Sequence, residues 1–84
     1  MNFTVRWERA ALRQLTSVWL QATDRNAVTA AQALTDQLLR RDPFGNGRHL
    51  SEGLYRLDVP PIAVYYTIDL LAQSVEITTI RALP

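Results

Sequence analysis

The second half of the chain contains three segments in which hydrophobic and polar residues alternate: residues 54–59, 62–68 and 74–80. In the first segment Tyr55 and Leu57 alternate with Arg56 and Asp58, so the two kinds of side chain point to opposite faces. A period of two predicts strands of a sheet that is covered on one face only. The turns between the segments are short, so the strands are expected to pair mostly in antiparallel fashion.

The first half of the chain predicts a short strand followed by a helix. Polar residues separate Phe3, Val5 and Trp7, which indicates the strand, and the helix is expected to begin near Glu8. Apolar residues then recur at steps of three and four, at Ala11, Leu12, Leu15, Val18, Trp19 and Ala22. This spacing gives the helix one face for burial and one face for water.

A second helix is predicted between Asp24 and residue 41. Asp24 is a suitable N-cap, because its carboxylate can accept a backbone amide of the first turn. Ala27, Ala31, Leu34 and Leu38 then repeat at a/d-like spacing, and the small alanines would allow close approach of the first helix. Pro43 disfavours helical geometry in the residue before it, so the helix should end there. The short connection between the helices favours an antiparallel hairpin.

Residues 44–53 contain all three glycines of the chain and are predicted to form a loop, which serves either as a connector or as a binding loop. Pro60 and Pro61 donate no backbone hydrogen bond and therefore belong in a turn. Together the elements predict one α+β domain over residues 1–84, with the order β-α-α-β-β-β. A helical hairpin should cover one face of a small, mostly antiparallel, four-stranded sheet.

The face of the sheet that the helices leave uncovered is where functional residues are expected. Alternation places eight side chains on it: Arg6, Arg56, Asp58, Ala63, Tyr65, Thr67, Glu76 and Thr78. Arginine is the only strongly basic residue type in the chain, and its planar fork can bind phosphate or carboxylate through two hydrogen bonds. The net charge of +1 is nevertheless low for a protein that grips many phosphates, which disfavours strong, nonspecific nucleic-acid binding.

Composition excludes several other classes. With 48% hydrophobic and 20% charged residues, the chain is typical of an ordinary globular protein. No apolar run approaches the roughly 20 residues that a membrane-spanning helix needs, and the N-terminus lacks the features of a secretory signal. We therefore expect a cytoplasmic protein without membrane association. With no cysteine and a single histidine, neither a metal site nor a cofactor is expected.

Several segments of the chain, taken in order, resemble the RelE/ParE superfamily of toxins from type II toxin-antitoxin systems, which includes plasmid stabilisation proteins. They are residues 5–10 (VRWERA), 38–43 (LLRRDP), 47–57 (GRHLSEGLYRL) and the strand that ends at Asp69. The resemblance implies that the helical hairpin covers one sheet face and that the opposite, concave face meets the target. It also implies that a cognate antitoxin wraps and blocks the toxin. RelE-like members cut mRNA on the ribosome, and ParE-like members poison DNA gyrase.

The residues disfavour an enzyme. RelE-like toxins resemble one another in an arginine early in the strand at 62–68 and in basic, His or Tyr residues at the C-terminal end. Here Ala63 occupies the arginine position, and three residues follow Arg81, so on this resemblance we do not expect the remaining C-terminal catalytic groups. Losing one charge-stabilising donor costs about 2.7–4 kcal/mol of transition-state binding. We therefore expect a ParE-like toxin that acts by protein contact, or a member that has lost its activity.

Some residues remain candidates for a site. The weak catalytic candidates are His49, Glu52, Arg56 and Arg81. The candidates for target binding are Arg6, Arg56, Tyr65 and Arg81, and those for antitoxin binding are Trp19 and Leu20. For Trp19 the alternative is packing in the core, whereas Leu20 departs from the apolar stripe of its helix.

Two other functions remain open at this point. The first is a ribosome-dependent mRNA endoribonuclease that uses Arg56, Arg81 and His49 in an altered arrangement. The second is an interaction module without toxicity. The sequence carries no indication of the oligomeric state.

Overall fold

Residues 2–84 are described by a computed structural model and contain eight elements of secondary structure. They are β1 (Thr4–Trp7), α1 (Arg9–Gln21), α2 (Arg25–Arg41), α3 (Pro43–Asn46), β2 (Arg48–Ser51), β3 (Leu54–Val59), β4 (Ile62–Asp69) and β5 (Ser74–Ala82). The predicted α+β class is confirmed, and both long helices lie within a residue or two of their predicted bounds. Over the same residues, no helix combines the length and the apolar character needed to cross a membrane.

The sheet formed by residues 2–84 has five strands in the order β1-β5-β4-β3-β2, whereas the sequence predicts four. Strand β1 runs parallel to β5, and all other neighbours are antiparallel. The additional strand is β2, which lies in the segment predicted to be a loop. All four of its residues are exposed and only one is apolar, so it lacks the alternation by which a strand is recognised in sequence.

The ends of the helices follow from a few side chains. Asp24 caps α2 as predicted and accepts a backbone amide of the first turn at 3.1 Å. The guanidinium of Arg25 donates to the carbonyls of Trp19 and Leu20 at 3.2 and 3.0 Å. Carbonyls of a last helical turn have no partner within the helix. Arg25 therefore fixes the corner between α1 and α2.

Helix α2 buries a stripe that is displaced from the a/d-like repeat of its sequence. Its buried residues are Val28, Ala31, Thr35 and Leu39, and only Ala31 belongs to the repeat of Ala27, Ala31, Leu34 and Leu38. Leu34 is 45% exposed. The hydroxyl of Thr35 donates to the carbonyl of Ala31 at 2.7 Å, so this polar side chain is buried without an unpaired donor. The buried stripe is displaced by about one position from the apolar repeat because it includes a threonine.

The core lies between the helical hairpin and the sheet, and Tyr66 is its largest fully buried side chain. The hydroxyl of Tyr66 donates to the carbonyl of Pro43 at 2.6 Å, and its ring stacks on Tyr55 with 5.7 Å between centroids. Burial raises the pKa of Tyr66 to about 12, so the phenol remains a neutral donor. This bond ties α3, which follows the helical hairpin, to the middle of the sheet.

Gly47 permits this arrangement. A Cβ atom added at Gly47 would overlap with the hydroxyl oxygen of Tyr66, so the position requires a glycine because of close approach. Gly53 is required for a different reason, since its φ of +70° in the β2–β3 turn is a conformation that favours glycine. The glycines of the predicted loop therefore serve the fold.

Tyr66→Phe and Gly47→Ala are each expected to lower the free energy of unfolding by about 1–3 kcal/mol. The first leaves the carbonyl of Pro43 without its donor, and the second forces the Tyr66 hydroxyl from its place. Tyr66→Phe removes the oxygen that the methyl group of Gly47→Ala would meet. The double variant should therefore lose less free energy of unfolding than the sum of the two single losses. Urea unfolding followed by circular dichroism measures all three values, and strict additivity would contradict the contact.

Candidate functional site

The face of the sheet that points away from α1 and α2, here called the open face, carries rows of cross-strand partners, two of which hold Arg56 and its neighbours. The first row holds Arg48, Arg56, Tyr65 and Thr79, and the second holds Asp58, Ala63 and Arg81. Side chains directly opposite each other on antiparallel strands share a face, so each row forms a line across the sheet. Tyr66, the next residue after Tyr65, points to the opposite side and into the core.

A β-bulge in β5 brings Arg81 onto the open face. Tyr65 pairs with Thr79 and Tyr66 pairs with Ile77, so Thr78 is an extra residue that opposes no partner. Simple alternation places Thr78 on the open face and would turn Arg81 toward the helices. The bulge corrects this prediction, because Thr79 takes the place of Thr78 opposite Tyr65 and Arg81 then follows on the same face.

Arg56 lies at the centre of the open face, and its guanidinium is already occupied. Its Nε donates to Oδ1 of Asp58 at 2.7 Å and its Nη2 to Oδ2 at 3.4 Å, while Nη1 donates to the hydroxyl of Tyr65 at 3.0 Å. The guanidinium carbon lies 5.4 Å from the centroid of the Tyr65 ring. The hydrogen bond to Asp58 raises the pKa of Arg56 above its ordinary value. The local charge of this pair is therefore close to zero.

A shallow pocket of about 250 Å³ lies beside this pair and is lined by Leu54, Tyr65, Thr79 and Arg81. Within residues 2–84, the guanidinium of Arg81 has no hydrogen-bonding partner. Ala63 lies between Asp58 and Arg81 and is only 2% exposed. Its methyl side chain carries neither a hydrogen-bond donor nor a charge. The pocket thus combines one leucine and two hydroxyl-bearing side chains with one available cation.

A pair of carboxylates lies at the β1 side of the open face. Arg6 and Glu76 are cross-strand partners, and the amide of Glu8 donates to the carbonyl of Ile77 at 3.0 Å. A hydrogen bond between the carboxyl groups of Glu8 and Glu76, together with their repulsion, raises the pKa of Glu8, and Arg6 opposes this shift only weakly. This end of the face is less basic than the Arg81 end.

The remaining catalytic candidates do not join Arg56 on the open face. His49 pairs with Tyr55 on the helix-facing side, with 5.1 Å between ring centroids. Glu52 is exposed in the β2–β3 turn. Over residues 2–84, no three His, Asp or Glu side chains lie close enough together to hold a metal ion.

A second candidate surface, here called the helical groove, runs between α1 and α2 on the side away from the sheet. It has a volume of about 400 Å³ and is lined by Leu12, Leu15, Thr16, Trp19, Val28, Thr29 and Gln32. Trp19 is 37% exposed, and the guanidinium carbon of Arg25 lies 4.6 Å from the centroid of its ring. Leu20 is 56% exposed beside the groove. Leu12 is 43% exposed although its spacing predicts burial.

Sequence reasoning missed three residues of these surfaces for identifiable reasons. Arg48 lies in a segment that reads as a loop, and its place beside Arg56 follows only from the pairing of β2 with β3. Thr79 is hidden by the bulge, for which two adjacent threonines give no sequence signal. Leu12 fits the apolar stripe of α1, but that stripe is wider than the part of the helix that packs on the sheet.

Neither a protein-family model nor a curated protein sequence matches this chain, whereas solved structures do. A chain of the toxin-antitoxin complex RelBE2 from Mycobacterium tuberculosis aligns with a TM-score of 0.82 at 21% identity, over 98% of this chain and 99% of that chain. A chain of the chromosomal ParDE system of P. aeruginosa gives 0.65 at 16% identity, over 98% and 97%. The isolated RelE toxin of E. coli gives 0.68 at 10% identity, over 98% and 85%. The chain therefore has the RelE/ParE toxin fold, to which RelE and ParE structures both correspond.

Glu8→Gln is expected to raise the melting temperature at pH 7 and to leave it unchanged near pH 3. The pKa of Glu8 is raised in the folded protein, so the stability that the bound proton provides is complete below the unfolded pKa and is lost as pH rises through the folded pKa. Repulsion from Glu76 disfavours the charged form of Glu8, and glutamine removes that repulsion. Glu8 makes no capping hydrogen bond that the change could break.

Thermal unfolding followed by circular dichroism between pH 3 and pH 8 measures this effect. Glu52→Gln removes the same charge from an exposed turn and controls for the change in net charge. An equal gain at both pH values would contradict the pairing of Glu8 with Glu76.

Proposed function

We propose that this chain, which has the RelE/ParE toxin fold, is the toxin of a type II toxin-antitoxin pair and acts on its target by protein contact. A cognate antitoxin neutralises it. The observation that carries the second part of the proposal is the separation of the candidate catalytic groups on the two sides of the sheet. The toxin-antitoxin complexes among the matching structures support the first part.

RNA cleavage of this kind needs a base, a positive group that stabilises the charge on phosphorus, and an acid for the leaving oxygen. Arg56 is engaged by Asp58, and Ala63 supplies no charge. His49 contacts Tyr55 on the helix-facing side. These placements engage Arg56 with its own neighbours and keep His49 off the open face, which supports contact with a protein.

The target in this proposal is DNA gyrase, as the ParE-like resemblance implies, and it meets the open face at Arg6, Arg56, Tyr65 and Arg81. Arg81 is the strongest anchor among them because it is exposed beside the apolar wall of Leu54. Arginines and aromatic side chains in partly apolar pockets are the residues that most often dominate protein interfaces.

The antitoxin in this proposal binds the helical groove and contacts Trp19 and Leu20. Arg25 lies over the ring of Trp19 at the groove, α1 also carries Arg9 and Arg13, and no acidic residue occurs between positions 9 and 23. An apolar groove with a basic rim fits an amphipathic segment that carries acidic side chains. The exposure of Trp19 and Leu20 supports this assignment.

Expression of the chain in a bacterial host is expected to stop growth, and co-expression of its neighbouring short reading frame should restore growth.

Leu20→Asp should remain toxic and escape neutralisation, with antitoxin affinity about 10–100-fold weaker, because an apolar contact is lost and a like charge faces the acidic segment. Titration calorimetry of the purified pair measures the affinity. Leu71→Asp is the matched control, since Leu71 is also exposed but lies in the β4–β5 turn.

Arg81→Ala is expected to weaken inhibition of gyrase supercoiling by about tenfold or more, as expected for an interface anchor. Arg41→Ala, which changes an exposed arginine at the end of α2, should inhibit gyrase as the parent does.

Transcript ends mapped during growth arrest should show no new cleavage sites. Normal growth without the neighbouring frame would overturn the assignment as a toxin, and new transcript ends would replace gyrase with ribosome-bound mRNA as the target.

A further inference from the structure

The two rows of the open face that contain Arg56 and Asp58 hold one carboxylate and three arginines. Arg48 and Arg56 are cross-strand partners, and Arg81 lies in the same row as Asp58. Asp58 accepts two hydrogen bonds from Arg56, at 2.7 and 3.4 Å. Among residues 2–84, neither Arg48 nor Arg81 has a hydrogen-bonded acceptor. The carboxylate of these two rows is therefore used on the central arginine.

Asp58 occupies the edge of Arg56 that would otherwise bind a phosphate. The parallel N–H groups of Nε and Nη2 form the fork that matches a carboxylate or a phosphate. The occupant lies two residues away on the same strand, so an incoming anion competes with an intramolecular partner at high effective concentration. The side chain of Asp58 is also 46% exposed, so its negative charge repels a second anion.

We infer that Asp58 is a specificity-determining residue, which keeps nucleic-acid phosphate off the open face and leaves the face to a protein partner. A protein surface can donate to Asp58 and accept from the free N–H groups of Arg56 and Arg81 at the same time. A polyphosphate offers acceptors only. The inference rests on the proposed function for the class of target, but its test does not require toxicity.

Without Asp58 the open face would have the features of a single-strand binding surface. Three guanidinium groups would remain along adjacent rows, and the ring of Tyr65 lies beside the central one. A basic track combined with an aromatic ring is the arrangement on which single-stranded nucleic acids bind without sequence preference.

Asp58→Asn keeps the size of the side chain and removes its charge. Binding of a fluorescent oligouridine of about 20 nucleotides, followed by anisotropy at low salt, is expected to tighten by about tenfold relative to the parent, because one charge-assisted contact becomes available. The gain should shrink as salt is raised. The double variant Asp58→Asn/Arg56→Gln should lose the gain in RNA affinity. Asp58→Ala, whose side chain cannot accept a hydrogen bond from Arg56, should show a gain at least as large.

Asp36→Asn is the matched control. It removes the same charge and releases Arg40, with which Asp36 pairs at 2.7 Å on the helical side. It should bind RNA as weakly as the parent. The inference is overturned if Asp58→Asn binds no more tightly than Asp36→Asn, or if the parent already binds as tightly as Asp58→Asn. A chain that fails to arrest growth leaves this comparison intact, so the two proposals fail separately.

Discussion

The bulge in β5 is the constraint on which both faces of the sheet depend. Before it Ile77 faces the core, and after it Ile80 faces the core as well, although three positions separate them. In a regular strand residues at this spacing point to opposite faces. Because Thr78 absorbs the extra position, the core keeps both isoleucines and the open face gains Thr79 and Arg81. One inserted residue thus completes the core and builds the candidate pocket.

The contact between the middle of β4 and the chain after α2 is the second constraint. Tyr66 reaches through the core to the carbonyl of Pro43, and Gly47 leaves room for its hydroxyl. A phenol can be buried at low cost only when its proton has an acceptor, and this carbonyl provides one. The same bond sets where the chain enters β2. The position of Arg48 beside Arg56 is therefore connected to a hydrogen bond on the other side of the sheet.

Periodicity was sufficient to predict the helices and the three long strands because their buried sides are apolar. It failed where burial or pairing depends on a partner elsewhere in the chain. Thr35 is buried because its own helix accepts its hydroxyl proton, and β2 is a strand because β3 pairs with it. The bulge at Thr78 follows from the register between two strands. Alternation thus places Arg56 on the open face, whereas the engagement of its guanidinium by Asp58 depends on side-chain geometry that periodicity does not encode.

The helical groove and the open face lie on opposite sides of the molecule, and this separation constrains how an antitoxin could act under the proposed function. The two shorter dimensions of the molecule are 22 and 21 Å. Extended chain spans at most about 3.3–3.6 Å per residue, so crossing one edge takes at least about six residues. An antitoxin that fills the groove must extend by that length before it can cover Arg56 or Arg81. A segment that ends within the groove would leave the open face free to meet its target.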